Sequence, residues 1–242
     1  MTPVLGAAAV LLAAFIKGAI GFGFPTLGTP LLSLVTDVKT AVVVLIVPNI
    51  VMDGLQLRRL GTPLAPARRF SVLLVCGAVG TFLGTRLLVV LSPRTSTLIL
   101  GAFILVFVAL HATAVAPRVS PRWERWLSPV VGFLAGLVGG ITNVPGTPLV
   151  IYFHALGLPK HEFVASVAFT FVVYKLMQLG VVAWYGLLPW SLIGPSLFLT
   201  AVALAAFVLG LKVQDRLDQR TFNRAVLVFL AALGLWLVAR NL

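Results

Sequence analysis

Acidic side chains are scarce in this chain. Its 242 residues include six Asp and Glu against 18 Lys and Arg, and charged residues make up only 10% of the total. The mean hydropathy is +1.10, and 60% of the residues are hydrophobic. A soluble domain needs a more polar surface than this, so lipid is the solvent for most of the chain. An active site in an aqueous domain is therefore excluded.

The motifs that carry enzymatic chemistry are also missing. The single cysteine, Cys76, cannot form an intramolecular disulfide, and its apolar surroundings indicate a buried small side chain. No spacing of His, Cys, Asp and Glu resembles a metal site. The sequence has no Walker motif, nucleophile elbow or convincing triad. We expect a protein that is not an enzyme and that carries no metal or other cofactor.

The net charge of +12 would suggest a nucleic-acid partner in a soluble protein. Here the basic residues cluster in short gaps between apolar runs, which is the pattern of positive-inside loops. We therefore expect a lipid bilayer around the chain and no nucleic acid.

Eight apolar runs organise the chain, at residues 4–35, 41–57, 70–91, 97–116, 127–156, 163–188, 190–211 and 222–238. A spanning helix needs about 20 residues, so most runs fit one crossing. The runs 4–35 and 127–156 are too long for one. The first run lacks the basic region of a signal peptide, and we expect it to be retained as a membrane segment.

The two long runs share a motif rich in glycine and proline. Residues 18–30 read G-A-I-G-F-G-F-P-T-L-G-T-P, and residues 136–148 read G-L-V-G-G-I-T-N-V-P-G-T-P. Five identities hold at an offset of 118: Gly18/Gly136, Gly21/Gly139, Gly28/Gly146, Thr29/Thr147 and Pro30/Pro148. Such a motif breaks a helix, and a break inside a membrane is tolerated only in protein or beside a watery cavity. Paired breaks indicate a transporter binding site.

A second match supports duplication. The segment from Gly84, G-T-R-L-L-V-V-L-S-P-R-T, resembles G-L-K-V-Q-D-R-L-D-Q-R-T from Gly210 at an offset of 126. Each half then holds a motif segment and three spanning helices. We predict an all-α polytopic membrane protein with repeats at residues 1–117 and 126–242, joined in one integral membrane domain. Chance similarity between apolar segments is the alternative.

The distribution of charge favours one topology. If every run crosses the membrane once, eight of the Lys and Arg residues beside the runs lie on one membrane face and eight on the other. This even division contradicts the positive-inside bias. If each motif segment returns to the face it entered, the division becomes twelve against four, with only Lys39, Arg86, Arg94 and Arg240 outside. A straight helix over residues 4–35 would also be about 48 Å long, against a hydrocarbon core of about 30 Å. We favour re-entrant motif segments and inverted repeats. The rival is eight crossings with parallel repeats and a kinked first helix in each half.

The residues of the motif suit an anion site. A helix that starts near mid-membrane points its free N–H groups and positive dipole end into the cavity. The predicted substrate-binding residues of the motifs are Gly21, Gly23, Thr26, Thr29, Gly139, Gly140, Thr142, Asn143 and Thr147, and the predicted helix breaks are Pro25, Pro30, Pro145 and Pro148. Glycines that only allow tight packing and prolines that only kink are the alternative reading.

Charged residues within apolar runs are costly and indicate function. Lys17 precedes the first motif and either joins the site or snorkels to an interface. Lys175 lies in the middle of a run, which suits contact with an anion or pairing with Asp53. Asp53, one turn after Pro48 and Asn49, is expected to pair with a lysine or to carry a coupling proton. Asn49 is predicted to contact substrate.

With these residues in place, the chain resembles the TauE/SafE family, the sulfite-exporter-type membrane permeases. The resemblance rests on G-A-I-G-F-G-F-P…T-P, on Pro48 and Asn49, and on G-L-V-G-G…P-G-T-P, and it covers almost the whole chain. It implies secondary transport of a small anion such as sulfite, a sulfonate, sulfoacetate or thiosulfate across the bacterial inner membrane by a multi-pass protein. The second copy departs from the glycine-rich pattern after Gly140, so the two half-sites are expected to be unequal.

We therefore predict a secondary transporter that binds a small anionic substrate at mid-membrane and works by alternating access. A passive anion channel is an alternative, although it needs a continuous polar path and the sequence offers only a small polar cluster. A non-transporting membrane subunit would leave Lys17, Lys175 and Asp53 unexplained. A cation transporter would need more carboxylates. The sequence leaves a homodimer open.

Overall fold

The computed structural model describes residues 2–60, 64–112, 119–213, 228 and 231–239. Regular structure in these ranges is entirely helical. The helices are α1 Thr2–Ile20, α2 Phe24–Leu32, α3 Val38–Leu60, α4 Leu64–Arg69, α5 Ser71–Val90, α6 Pro93–Ala112, α7 Pro121–Thr142, α8 Gly146–Ala155, α9 Lys160–Trp184 and α10 Trp190–Val213. Residues 231–239 are also helical.

Five of the described helices, α3, α5, α7, α9 and α10, are long and apolar enough to cross a membrane. Shorter apolar helices occur in α1 and α6. The prediction of an all-α polytopic membrane protein is confirmed at this level. The predicted run at 222–238 and the junction between the halves lie partly outside the described residues.

Both motif segments contain a break between two helices. In the first, Gly21 and Gly23 have φ of 99°, in the left-handed region that suits glycine, and they separate α1 from α2. In the second, Asn143 has φ of 69° and ends α7. Asparagine tolerates this conformation better than most residues do. Because Asn143 ends the helix, the second break lies three residues later than its glycines suggest.

Each motif segment consists of a long first arm (α1 or α7) and a short second arm (α2 or α8). The second arm returns towards the beginning of the first. A Cβ added at Gly6 in α1 would lie 3.2 Å from the side chain of Leu32 at the end of α2. The N–H of Val119, just before α7, donates to the carbonyl of Ala155 at the end of α8 over 2.9 Å. Each pair of arms therefore forms a hairpin with the break at its tip.

Glycines let α5 and α7 cross with their backbones in contact. A Cβ added at Gly136 would collide with the carbonyl oxygen of Gly77, and one added at Gly80 would collide with that of Phe133. Close approach at small residues is the usual basis of helix packing in lipid, where hydrophobic burial provides no drive.

The same kind of crossing joins α1 to α10. A Cβ at Gly18 would collide with the carbonyl oxygen of Phe207, and one at Gly210 would collide with that of Phe15. These glycine crossings hold α7 against α5 and α1 against α10, while α3 packs against α9 and α10, and α9 also packs against α5.

Proline inside α3 is accommodated by a neighbouring helix. Pro48 cannot donate the hydrogen bond that the carbonyl of Val44 would otherwise accept. The hydroxyl of Ser196 in α10 donates to that carbonyl over 2.9 Å instead. This replaces the missing bond where lipid could not.

We predict that Gly136→Ala lowers the stability of the bundle, because the added methyl group forces α5 and α7 apart. Overpacking of this kind costs about 1–3 kcal/mol. The measurement is the apparent melting temperature of the purified protein in detergent. Gly180→Ala in α9 is the matched control, since nothing described lies within 4 Å of its added Cβ. Equal melting temperatures for the two variants would contradict the crossing.

Candidate functional site

Charge is almost absent from the interior of the protein. In the part of the chain that the structure describes, the buried charged residues are Lys17, Asp53 and Lys175, which are 0%, 1% and 1% exposed. They come from α1, α3 and α9, the helices that surround the two breaks. Ionisable groups at this depth are costly unless paired, which makes this cluster the candidate site.

Lys17 and Asp53 form a buried ion pair between α1 and α3. The ammonium nitrogen of Lys17 donates to Oδ1 of Asp53 over 2.5 Å. The same nitrogen lies 5.9 Å from the centroid of the Phe171 ring in α9, within the range of a cation–π contact. The sequence left snorkelling open for Lys17, but the structure places its ammonium inside the protein.

Lys175 holds the second helix break. Its ammonium donates to the carbonyl oxygen of Asn143 over 3.2 Å and to Oε1 of Gln178 over 2.7 Å, and it also contacts Oδ1 of Asn143. These acceptors match the three hydrogens of an ammonium. Lys175 forms no ion pair with Asp53 in the described structure, so the acidic partner predicted for it belongs to Lys17.

The two motifs meet through their polar side chains. Nδ2 of Asn143 donates to the hydroxyl oxygen of Thr29 over 3.1 Å, across 114 residues of sequence. A Cβ added at Gly146, the first residue of α8, would lie 4.0 Å from the hydroxyl oxygen of Thr26. The starts of α2 and α8 are therefore neighbours, and both lie beside the buried charges.

Each break is braced by a buried glutamine that the sequence analysis missed. Nε2 of Gln56 in α3 donates to the carbonyl of Gly21 over 2.9 Å. Nε2 of Gln178 in α9 donates to the carbonyls of Gly139 and Gly140 over 3.3 and 3.2 Å. The available signal was a lone glutamine in each of two apolar runs, three residues after a charged residue.

The starts of α2 and α8 have the electrostatics expected of an anion site. Neither helix has a side-chain hydrogen bond capping its N-terminus in the described structure. Pro25 lies in the first turn of α2, and Pro145 immediately precedes α8. A Cβ added at Gly23 would meet no described atom within 4 Å. Free N–H groups, the positive dipole end and nearby ammonium groups favour an anion here.

A comparison with protein-family models matches residues 6–237 to the sulfite exporter TauE/SafE family. The chain belongs to the TauE/SafE family. The resemblance noted in the sequence is thereby confirmed over nearly the whole chain. Searches of curated proteins and of solved structures found no match. TauE/SafE is a family of membrane transporters rather than of enzymes, which agrees with a buried charged site and several apolar helices.

Some residues of this TauE/SafE protein that were predicted to bind substrate instead form hydrogen bonds with backbone groups or allow close helix packing. The hydroxyl of Thr142 donates to the carbonyl of Val138 over 2.8 Å and accepts from the N–H of Val144 over 3.2 Å. Gly139 and Gly140 still lie within α7. A Cβ at Gly140 would lie 2.6 Å from the carbonyl oxygen of Thr81, so this glycine serves helix packing.

Other predicted positions have different places. Pro30 lies inside α2, which continues to Leu32, so it is not part of the first break. Pro148 is the third residue of α8, in a first turn that needs no N–H from proline. The side chain of Thr147 lies outside the described residues. Asn49 is fully buried in α3, and its Nδ2 donates to the carbonyl of Leu45 over 3.2 Å.

We predict that Lys17→Met destabilises the protein by about 3–5 kcal/mol, because it leaves the carboxylate of Asp53 buried without its partner. The double variant Lys17→Met with Asp53→Asn removes both charges and is expected to melt at a higher temperature than Lys17→Met alone. Detergent melting curves of the wild type, both single variants and the double variant form the cycle. Additive losses in the double variant would argue against the ion pair.

Proposed function

We propose that this TauE/SafE protein is a secondary transporter of a small anion, with a sulfur-containing oxyanion or an organosulfonate as substrate. Sulfite, sulfoacetate and thiosulfate are the compounds of this class that we would test first. The anion binds at mid-membrane between the two broken-helix motifs, and the site opens alternately to the two faces of the bacterial inner membrane. The observation that carries the proposal is the pair of buried lysines beside two helix N-termini that touch each other.

The charges favour an anion over a cation. Two buried ammonium groups stand against one carboxylate, and Lys17 already neutralises Asp53. Lys17 has no acceptor other than Asp53 among the described hydrogen bonds, so it retains hydrogens that an anion could accept. A subunit without transport activity would have no use for this excess positive charge in its interior.

The length of the two short helices α2 and α8 supports a site at mid-membrane depth. The ten residues of α8 span about 15 Å and the nine residues of α2 about 14 Å. Because each short arm returns towards the beginning of its long arm, neither break lies deeper than about half of a 30 Å hydrocarbon core. This supports re-entrant motif segments.

Equivalent contacts in the two halves support duplication. Residues of the first half correspond to residues of the second half at an offset that is constant for each pair of equivalent helices. The offset is 118 between the segments that contain α1 and α7 (15 to 133, 18 to 136, 21 to 139), 130 between α5 and α10 (77 to 207, 80 to 210) and 122 between α3 and α9 (56 to 178). Three contacts recur at these offsets. A Cβ added at Gly136 would meet the carbonyl of Gly77 as one at Gly18 would meet that of Phe207, and a Cβ at Gly80 would meet the carbonyl of Phe133 as one at Gly210 would meet that of Phe15. Gln178 donates to the carbonyl of Gly139 as Gln56 donates to that of Gly21. The contacts of α5 and α10 correspond at an offset of 130, whereas the sequence match between the segments from Gly84 and Gly210 has an offset of 126. The difference is about one helical turn.

One loop contact favours inverted over parallel repeats. Nε2 of His161, at the start of α9, lies 3.1 Å from the carbonyl oxygen of Leu60 at the end of α3. If the segment 127–156 crossed the membrane fully, these two positions would lie on opposite faces. Their contact is expected when that segment returns to the face it entered.

The proposal predicts saturable uptake of labelled sulfite by proteoliposomes that contain the purified protein. Lys17→Met and Lys175→Met should each lower the rate by at least about tenfold, because each removes a buried charge from the anion site, and a charged hydrogen bond contributes about 1.5–3 kcal/mol. Arg58→Gln, at an exposed basic position outside the cluster, is the control.

Sulfite, sulfoacetate, thiosulfate and a cation are assayed in parallel to define the substrate class. If no anion moves, or if both lysine variants transport like the wild type, the proposed site is wrong. Uptake that rises linearly with concentration and never saturates would favour a passive channel.

Inverted repeats predict where introduced cysteines react. In a Cys76→Ser background, Arg58→Cys and Lys160→Cys should be labelled by an impermeant maleimide from one face, and Lys39→Cys from the other. Right-side-out and inside-out vesicles provide the comparison. Labelling of Lys160→Cys from the face opposite to Arg58→Cys would require eight crossings and parallel repeats.

A further inference from the structure

Three buried oxygen atoms on α3 have no hydrogen-bond partner within the described part of the chain. They are Oδ1 of Asn49, Oδ2 of Asp53 and Oε1 of Gln56. The residues are 0%, 1% and 5% exposed. Spacings of four and three residues place them on one face of the helix, on successive turns. Buried polar atoms are normally paired, so three open acceptors on one face indicate a ligand.

The orientation of the two amides is fixed by their nitrogen atoms. Nε2 of Gln56 faces the carbonyl of Gly21 at 2.9 Å, and Nδ2 of Asn49 faces the carbonyl of Leu45 at 3.2 Å. A carbonyl only accepts hydrogen bonds, so exchanging oxygen and nitrogen in either amide would set two acceptors against each other. The open atoms are therefore oxygens.

In the second half of the protein, the glutamine oxygen equivalent to Oε1 of Gln56 has a hydrogen-bond partner. At the offset of 122 that relates Gln56 to Gln178, Lys175 stands at the position of Asp53 and Phe171 at that of Asn49. There the ammonium of Lys175 donates to Oε1 of Gln178 over 2.7 Å. The open acceptors are thus a property of the first half alone and do not follow from the brace itself.

The neighbouring charges exclude a simple cation as the ligand. Lys17 already supplies a positive charge to Asp53 at 2.5 Å, and Lys175 is also close enough to act on that carboxylate electrostatically. A metal ion on these oxygens would meet repulsion from ammonium groups in a medium that screens poorly. A hydrogen attached to oxygen or nitrogen satisfies the same acceptors without adding a full charge.

We propose that the acceptor face formed by Asn49, Asp53 and Gln56 binds an O–H or N–H group of the transported anion. The buried set of Lys17, Lys175 and Asp53 carries one net positive charge, so the matching substrate is a monovalent anion with such a donor. This inference rests on the proposed function and narrows its substrate class. Anions that present no donor leave the three acceptors unpaired and bind more weakly.

The test compares two sulfonates that differ by one hydroxyl group, 2-hydroxyethanesulfonate and ethanesulfonate. Each is added unlabelled to proteoliposomes of the full chain, and inhibition of labelled sulfite uptake gives its inhibition constant. The hydroxylated compound should inhibit at a concentration at least about tenfold lower. Asn49→Leu should reduce this ratio. A purely structural effect of the substitution would shift both constants together.

Thr85→Val is the matched control, because Thr85 in α5 also has a buried hydroxyl without a described partner but stands outside the acceptor face. It should leave the ratio unchanged. A ratio near one in the wild type, or no inhibition by either sulfonate while sulfite is taken up, overturns the inference. So does a ratio near one together with a requirement for Na⁺, which would assign the oxygens to a cation. Absence of any anion uptake defeats the proposed function instead.

Discussion

A broken helix inside a bilayer must find partners for its freed backbone groups within the protein, because lipid offers none. The rest of this structure depends on how two such breaks are satisfied. At each one, a glutamine from a central helix donates to a carbonyl at the end of the long arm, Gln56 at Gly21 and Gln178 at Gly139. For the glutamines to reach, α3 must lie beside the first break and α9 beside the second, and α1 and α7 must be held against α10 and α5 at glycine crossings.

The braces also explain where the charges lie. Asp53 and Lys175 each precede their glutamine by three residues, so a helix turned to brace a break also turns its charged residue towards the site. The helices α3 and α9 therefore make equivalent contacts through their glutamines and differ in the sign of the charge that they add. Lys175 uses its hydrogens within its own half, on Asn143 and Gln178, whereas Asp53 uses Lys17 and keeps one oxygen open.

The sequence was sufficient to predict the membrane class, the two motif segments and the family, because these depend on composition and on local helix-breaking chemistry. It could not decide the partner of Asp53, since two lysines lie in apolar runs and the choice depends on which helices cross. The depth of Lys17 was undetermined for a similar reason, because it follows from the tilt of α1. The exact end of α7 could not be read from the glycines, because Asn143 adopts the left-handed conformation that ends this helix. The glutamines were missed because one uncharged polar residue in an apolar run is a weak signal.

The different partners of Lys17 and Lys175 bear on how the proposed anion binding would be linked to movement. Lys17 lies in the long arm of one hairpin, and its ion partner lies in the central helix that braces the same hairpin. An anion that accepts one of the remaining hydrogens of the Lys17 ammonium shares its positive charge with Asp53, so binding would weaken the attraction between α1 and α3. In the second half the ammonium is on the central helix and its acceptors are at the break, so an anion there would compete with Asn143. In the proposed site, one small anion between the breaks would therefore weaken a lysine contact in each hairpin, which is the coupling between occupancy and rearrangement that the proposed alternating access requires.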